Sequence, residues 1–330
     1  MSLTKNVVFF STGTLVAILL ALLVGKYPLT PGELLGLFIH PDATPLDPRG
    51  ATVFWQIRLP RILAALAIGA ALSAAGAAYQ GMFRNPLVSP DILGVSAGAG
   101  MGACVAMWLG LPIMVIQLMA FLGGILAVGL TCLIATLAKR HDPVLSLVLV
   151  GIAIGTLCGA VISLIKILAD PYTQLPSITF WLLGGLSTIT QDDLYSCIPI
   201  LLLGMLPLLL LRWRMNLLSL PDDEAKTMGV NVKQLRLIFI ICATLITASA
   251  VSVAGIIGWI GLVVPHICRL ITGDNYQRLF PISMLVGGIL LLLTDTLARS
   301  LLSIELPLGI LTALIGAPFF LMLLIRGGRR

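Results

Sequence analysis

The charged residues of this 330-residue chain come in short bursts, and the uncharged runs between them have the length of a membrane crossing. An ionised side chain at the centre of a bilayer costs about 3 kcal/mol or more, so charges mark where crossings end. A crossing helix needs about 20 apolar residues. Twenty uncharged residues separate Lys5 from Lys26, 22 separate Arg61 from Arg84, and 23 separate Asp142 from Lys166. The 47-residue run between Asp91 and Lys139 carries Gly110 and Pro112 near its middle, which predicts a helical hairpin. Runs of 18 residues after Asp193, 16 after Arg278 and 20 after Glu305 add three more helices. The stretch Leu237 to Cys268 is harder. Its 32 residues are too long for one crossing and short for two, and Gly255, Gly258, Gly261 and Pro265 interrupt it.

Composition selects the class of fold. Only 10% of residues are charged and 58% are hydrophobic, whereas a soluble domain carries about 25% charged residues. That excludes a water-soluble globule, a disordered chain and a disulfide scaffold. A membrane barrel would alternate apolar and polar residues, and these runs do not, so the expectation is an all-α integral membrane protein. The positive-inside rule then decides the long stretch. With two crossings there, ten transmembrane helices leave both N and C termini cytoplasmic, with 14 Lys and Arg inside and 6 outside. With one crossing the tally is 10 against 10. Ten is the expectation. The net charge of +6 then reads as anchoring to anionic membrane lipid, with no nucleic acid as partner. The first run lacks a small-x-small cleavage site at Gly25-Lys26-Tyr27-Pro28 and is read as a retained helix. All six cysteines fall in or at the ends of these runs without a C-x-x-C pair, which points to no metal or redox site.

Three segments outside the crossings carry the chemistry. Residues 26–61, on the outer face, hold six prolines, and Thr30-Pro31-Gly32-Glu33 reads as a capping box opening a short surface helix. Arg58 and Arg61 close this segment, and Arg299 falls on the same side. Two readings stand: a docking site for acidic groups of a partner or an anionic substrate, or arginines that snorkel or pair locally, with Asp295 four residues before Arg299. The longest cytoplasmic loop runs from Ser219 to Arg236. Ser219 is read as capping a helix with Pro221, Asp222, Asp223 and Glu224 in its first turn; Gly229 stops that helix, and Asn231 with Gln234 starts the next. A compact helical pair suits insertion into a partner's groove, and a plain re-entry loop is the alternative. The third segment, Arg84-Asn85-Pro86-Leu87 with Ser89-Pro90-Asp91, is a proline-stiffened inner turn in which Ser89 is expected to cap the third crossing. It reads equally as a gate and as a well-built turn.

Gly94, Gly98 and Gly102, and likewise Gly151, Gly155 and Gly159, recur at four-residue spacing, a pattern that lets helices pack closely and also lets them slide. Arg61-to-Gly76 and Arg236-to-Gly255 faintly echo one another, as two halves of a repeat would. No G-x-x-x-x-G-K-[ST], H-E-x-x-H or G-x-S-x-G occurs, so ATP-driven transport would need its ATPase on another chain. His40, His141 and His266 are assigned no catalytic or metal role.

Arg58-Leu59-Pro60-Arg61, Gly69-Ala70-Ala71-Leu72, Gln80-Gly81, Arg84-Asn85-Pro86-Leu87, Ser89-Pro90-Asp91 and Leu93-Gly94 resemble the FecCD-type permeases of binding-protein-dependent ABC importers. Gly229-Val230, Trp259-Ile260-Gly261-Leu262, Val264-Pro265-His266, Asp295 with Ala298-Arg299, Leu306-Pro307-Leu308-Gly309 and Gly316-Ala317-Pro318 extend the likeness in order from about residue 50 to the end. Trp259 stands where many relatives have Phe.

The resemblance implies a single permease domain over 1–330 in the bacterial cytoplasmic membrane, paired with a second permease subunit as a homodimer. Its other partners are two ABC ATPase subunits and a periplasmic or lipid-anchored binding protein. It implies no cofactor in this chain, with ATP and Mg on the ATPase. Residues 26–61 are the periplasmic loop. By the same resemblance Arg58, Arg61 and Arg299 engage glutamates of the binding protein. Residues 220–234, with Asp222, Asp223, Glu224, Ala225, Met228 and Gly229, form the coupling helices. Asn85 and Leu87 line an inner gate whose other wall is the turn from Pro143 to Ser146. The implied activity is ATP-driven import of a metal chelate, first an iron-siderophore, with vitamin B12, haem or molybdate as alternatives. The rivals are a membrane-embedded enzyme, for which Asp295, His266 and Lys166 are too scattered, and an ion-coupled secondary transporter, for which Asp295 is the one candidate carboxylate.

Overall fold

Apolar runs longer than a bilayer is thick leave the backbone no hydrogen-bonding partner but itself, and the chain answers with helices throughout. The computed structural model describes residues 3–27, 29–39, 48–138 and 143–327, and no strand occurs among them. His40, Lys139, Arg140, His141, Asp142, Arg329 and Arg330 lie outside the described residues.

Helix α1 spans Leu3–Leu23 and α2 spans Pro31–Ile39, opened by the expected capping box: Thr30 N–H donates to Glu33 Oε2 at 2.7 Å and Glu33 N–H to Thr30 Oγ1 at 3.3 Å. Helix α3 (Pro48–Thr52) runs through a π-helical turn, Val53–Arg58, into α4 (Leu59–Met82). The rod therefore begins about three turns before the charge boundary at Arg61. The π turn lies just ahead of Pro60, where the ring needs room and no N–H is on offer. After α4, a 3-10 turn (Pro90–Leu93) and Gly94 lead into α5 (Val95–Trp108), and α6 (Ile113–Leu137) completes the expected hairpin. Ser89 caps the 3-10 turn, its Oγ accepting from Asp91 N–H, so it does not cap the crossing helix itself; the left-handed Gly94 intervenes at φ +84°.

Helix α7 spans Pro143–Leu168, and α8 (Gln174–Leu182) follows as a short helix that the charge spacing does not reveal. Helix α9 (Gln191–Leu210) starts on a capping box in which Thr190 and Asp193 exchange side-chain and backbone bonds. Thr190→Ala should lower stability by about 1 kcal/mol, read as a drop in the thermal unfolding midpoint; an unchanged midpoint would mean that the cap contributes nothing. Then come α10 (Arg212–Leu218), α11 (Asp222–Thr227), α12 (Val232–Ala254), α13 (Ile260–Thr272), α14 (Tyr276–Ser300) and α15 (Leu308–Gly327).

The 32-residue stretch thus divides into α12 and the short α13. The break sits at Gly255, φ +68°, which lies against Gly184, and at Trp259, φ +71°. A tryptophan in the left-handed region costs of order 1–3 kcal/mol, and packing retains it. The ring lies against Gly316 and meets Phe320 edge-on at 6.3 Å. Among the described residues, seven helices are long and apolar enough to cross a membrane, and three shorter apolar ones, Val95–Trp108, Ile260–Thr272 and Leu308–Met322, accompany them.

Helices α4, α12 and α14 form the interior; α1, α6, α7 and α9 turn most of their surface outward. Bare backbone makes the interior approaches possible. A Cβ on Gly76 would overlap the Gly261 carbonyl of α13, and one on Gly69 would overlap Gly287 of α14. Gly98 and Gly102 on α5 likewise meet Gly123 and Met119 on α6.

Candidate functional site

The two ends of α4, some 36 Å apart for 24 residues, carry the two clusters of polar side chains. At the C-terminal end lies the segment 220–234. Ser219 does not cap α11: its Oγ bonds back to Met215 O as α10 ends, and Pro221 occupies the position before α11. Proline leaves no cap, so the acidic first turn, Asp222, Asp223 and Glu224, answers the exposed amides by charge alone. Gly229 breaks the chain direction at φ +77°, and Asn231 Oδ1 accepts from Gln234 N–H at 3.2 Å to start α12. Ala225 is fully buried and anchors the short helix. Asp223, Glu224, Met228 and Gly229 are exposed, so the segment presents two acids beside a bare methionine.

Asp222 turns the other way. Its Oδ1 lies 3.0 Å from Arg84 Nη2 and 3.0 Å from Arg236 Nη2, and Oδ2 lies 3.2 Å from the latter. Arg84 precedes the turn at Asn85, whose Oδ1 accepts from Leu87 N–H at 2.9 Å. This Asx turn, with Pro86, holds Leu87 45% exposed. Asp91, in the 3-10 turn, accepts from the hydroxyls of Ser96 and Ser89. Burial pushes its carboxyl above the usual range despite them. Across the bundle Pro143 is exposed at the start of α7, while Ser146, about one turn on, is 3% exposed.

At the N-terminal end of α4 the three outer arginines are all buried. Arg61 Nε lies 2.9 Å from both carboxylate oxygens of Asp295, and Nη1 lies 2.9 Å from Glu305 Oε2. The local Asp295 to Arg299 pair read from four-residue spacing does not form, because Arg61 occupies Asp295. Arg299 donates instead to Ala21 O, and Arg58 donates to Leu22 O and Tyr27 O. Ala21 and Leu22 carry orphan carbonyls of the last turn of α1, so two arginines cap that helix where its dipole favours cations.

Beside this cluster opens a cavity of about 840 Å³, lined by Arg61 and Glu305, by Phe180 and Trp181 of α8 and Gly184 beyond it, and by Leu306 and Pro307. Asp170 starts the approach to α8 by accepting from the Thr173 hydroxyl and from the amides of Thr173 and Tyr172. The Thr173 hydroxyl bond holds the Asp170 carboxyl below its ordinary range. That Asp170-Pro171 start, with Gly184-Gly185 beyond, is the sequence signal for α8.

The glycine series separates in space. Gly94 and Gly151 pack backbone to backbone, Gly155 touches Gly94 and Ala97 in ordinary contact, and Gly159 has nothing within 4 Å. Among the described residues no three His, Cys, Asp or Glu side chains gather into a metal-ligating group, and all six cysteines are free.

An all-helical, multi-pass membrane bundle with a polar cluster at each end defines the class of protein. Residues 13–326 match the FecCD transport family, and the chain belongs to that family. The match begins well ahead of residue 50, where the sequence motifs begin. The chain is 41% identical over 311 residues to the molybdate import system permease protein MolB of Haemophilus influenzae, covering 92% of this chain and 91% of that protein. It is 44% identical over 277 residues to an iron chelatin transport system permease protein of Helicobacter pylori, covering 83% and 82%. A solved structure of an inward-facing metal-chelate type ABC transporter superposes with a TM-score of 0.89 at 37% identity, covering 98% of this chain and 99% of that one.

Proposed function

We propose that this chain is the permease subunit of a binding-protein-dependent ABC importer in a bacterial cytoplasmic membrane, moving a metal chelate inward by ATP-driven alternating access. The observation that carries the reading is the segment 220–234. It is a short helix anchored by one buried alanine, ended by a left-handed glycine, and turning Asp223, Glu224 and Met228 outward. A connecting loop has no need of that surface, and a partner's groove does. Two ATPase subunits, which hold ATP and Mg, seat there. Closure of the ATPases pushes the segment, the inner gate between the turn at Asn85 and Leu87 and the turn from Pro143 to Ser146 shuts, and the outer end opens to the binding protein.

The seven long and three short apolar helices support ten crossings with both termini on the cytoplasmic side. A second copy of the chain completes the path. Arg61 is paired with Asp295 and Glu305, and Arg58 and Arg299 each donate to carbonyls at the end of α1, while Arg299 Nε is left without a hydrogen-bond partner. Their part in docking the binding protein is to hold the α1 end and the Glu305 loop in shape, with Glu305 the exposed edge of the cluster. An ion-coupled secondary transporter would need a carboxylate free to load an ion, and Asp295 is engaged by Arg61. An iron-siderophore is the leading cargo; vitamin B12, haem and molybdate belong to the same importer class.

The test is to purify the chain with its ATPase and binding protein, reconstitute them in vesicles, and measure ATP hydrolysis with ferric siderophores, haem, cobalamin and molybdate. Stimulation by one ligand, only with binding protein present, is the expected result; an ATPase that never associates ends the proposal. Gly229→Val, forced to φ +77°, should weaken ATPase association about 5- to 30-fold, matching roughly 1–2 kcal/mol of strain, while Gly229→Asn, which tolerates that region, should keep it. Equal co-purification of both variants would detach Gly229 from docking.

A further inference from the structure

We propose that Asp222 is the lever that joins the docking segment to the inner turn, a positioning residue that transmits movement of α11 to Asn85 and Leu87. The inference rests on the docking and gate readings above. Asp222 is the first residue of α11 and bridges two guanidiniums from different elements: Arg236 on α12 and Arg84 at the end of α4.

The two halves of the bridge differ in how readily they part. Arg236 is 7% exposed, and its Nε has no hydrogen-bond partner, so its charge is answered by Asp222 and by no other carboxylate among the described residues. A charge buried this way resists separation from its partner. The Arg84 half is looser, with both side chains about one-third exposed, and solvent can replace that bond. Asp222 therefore stays with α12, while the bond to Arg84 can be made and broken.

The Arg84 end is also the strained end. Arg84 sits at φ +51°, left-handed backbone that an arginine rarely adopts. Its next neighbour is Asn85, whose side chain holds the turn that displays Leu87. Two backbone bonds, Arg84 N–H to Gly81 O at 3.2 Å and Asn85 N–H to Gln80 O at 3.1 Å, close α4 around this residue. Among the described residues the Asp222 bond is the one tie that links it to α11, so losing that bond frees the turn from α11. Ala225, buried three residues beyond Asp222, makes α11 move as a body, so a push on its exposed face reaches Asp222 directly. The turn thus has two arrangements, and the position of α11 selects between them.

The test uses the full chain in complex with its ATPase, with Leu87→Cys as the reporter and the chain without that change as the control for the native cysteines. Labelling by a water-soluble maleimide is timed with and without nucleotide trapped on the ATPase by vanadate. The labelling rate at position 87 should change several-fold on trapping. Asp222→Asn should abolish the change while the ATPase still co-purifies, and Asp222→Glu should restore it. Arg84→Gln, which leaves the buried half of the bridge intact, should also abolish it, covering the case in which Asp222→Asn fails to fold.

A full nucleotide-dependent change in Arg84→Gln or in a folded Asp222→Asn would overturn the lever. So would loss of the ATPase from Asp222→Asn, which would make Asp222 a docking contact. A reporter chain that never retains the ATPase is a separate, visible result, and it removes the docking reading together with the lever.

Discussion

Arg61→Ala should cost about 3–5 kcal/mol of stability, because it leaves Asp295, whose side chain is 1% exposed, charged and unpaired inside the bundle. The paired replacement Arg61→Met with Asp295→Leu should cost far less, since it removes both charges together, and Glu305, 36% exposed, can turn to water. Thermal unfolding midpoints in detergent measure both, and a single variant as stable as the parent would show that the pair is not buried as described. The paired variant is also the clean test of docking. Glutamate at position 61 would face two carboxylates, so its failure would report misfolding. If the paired variant keeps binding-protein-stimulated ATP hydrolysis, the Arg61 charge has no part in docking.

Gly76→Ala should destabilise by about 3 kcal/mol, at the upper end of overpacking costs, because its Cβ would overlap the carbonyl of Gly261 and backbone on both sides would have to part. Gly159→Ala should be neutral or stabilising by up to about 1 kcal/mol, since nothing lies within 4 Å and alanine favours helix. The contrast separates two kinds of glycine that share a spacing in sequence. Equal effects would mean that Gly159 packs against something beyond this chain, and a large cost there in the assembled importer would place it at the contact with a second copy.

Much of the architecture was legible because the bilayer penalty writes itself into charge spacing. The hairpin at Gly110 and Pro112, the boundaries of α1 and α9, the end of α4 and the Thr30 capping box need only neighbours in sequence, and the residues state them, whereas α14 runs on past Asp295 to Ser300. Helix α8 was not legible, because a nine-residue helix between Asp170 and Gly184 is too short to announce itself by length or charge. Ser89 and Ser219 were misplaced by one element each, since a capping residue type also closes 3-10 turns and helix ends. In the candidate site, the acidic first turn and the helix-ending Gly229 followed from composition and spacing, while Met228 came only with the resemblance to FecCD-type permeases. The burial of Ser146 did not follow from either, since it depends on which face of α7 meets the bundle.

Sequence alone determined that this is a helical membrane protein, where most of its long apolar runs are bounded, and that the stretch between Arg236 and Arg269 is interrupted, because each is a local consequence of desolvating charge and backbone. The tertiary structure decided the partners. Asp295 pairs with Arg61 and not with the nearer Arg299, and the two remaining arginines cap α1. Asp222 holds residues 138 and 14 positions away. Gly76 meets Gly261, while Gly159 meets nothing. Electrostatic and steric terms fall off over a few ångströms of space, and a helical bundle brings together residues whose distance along the chain carries no record of that approach.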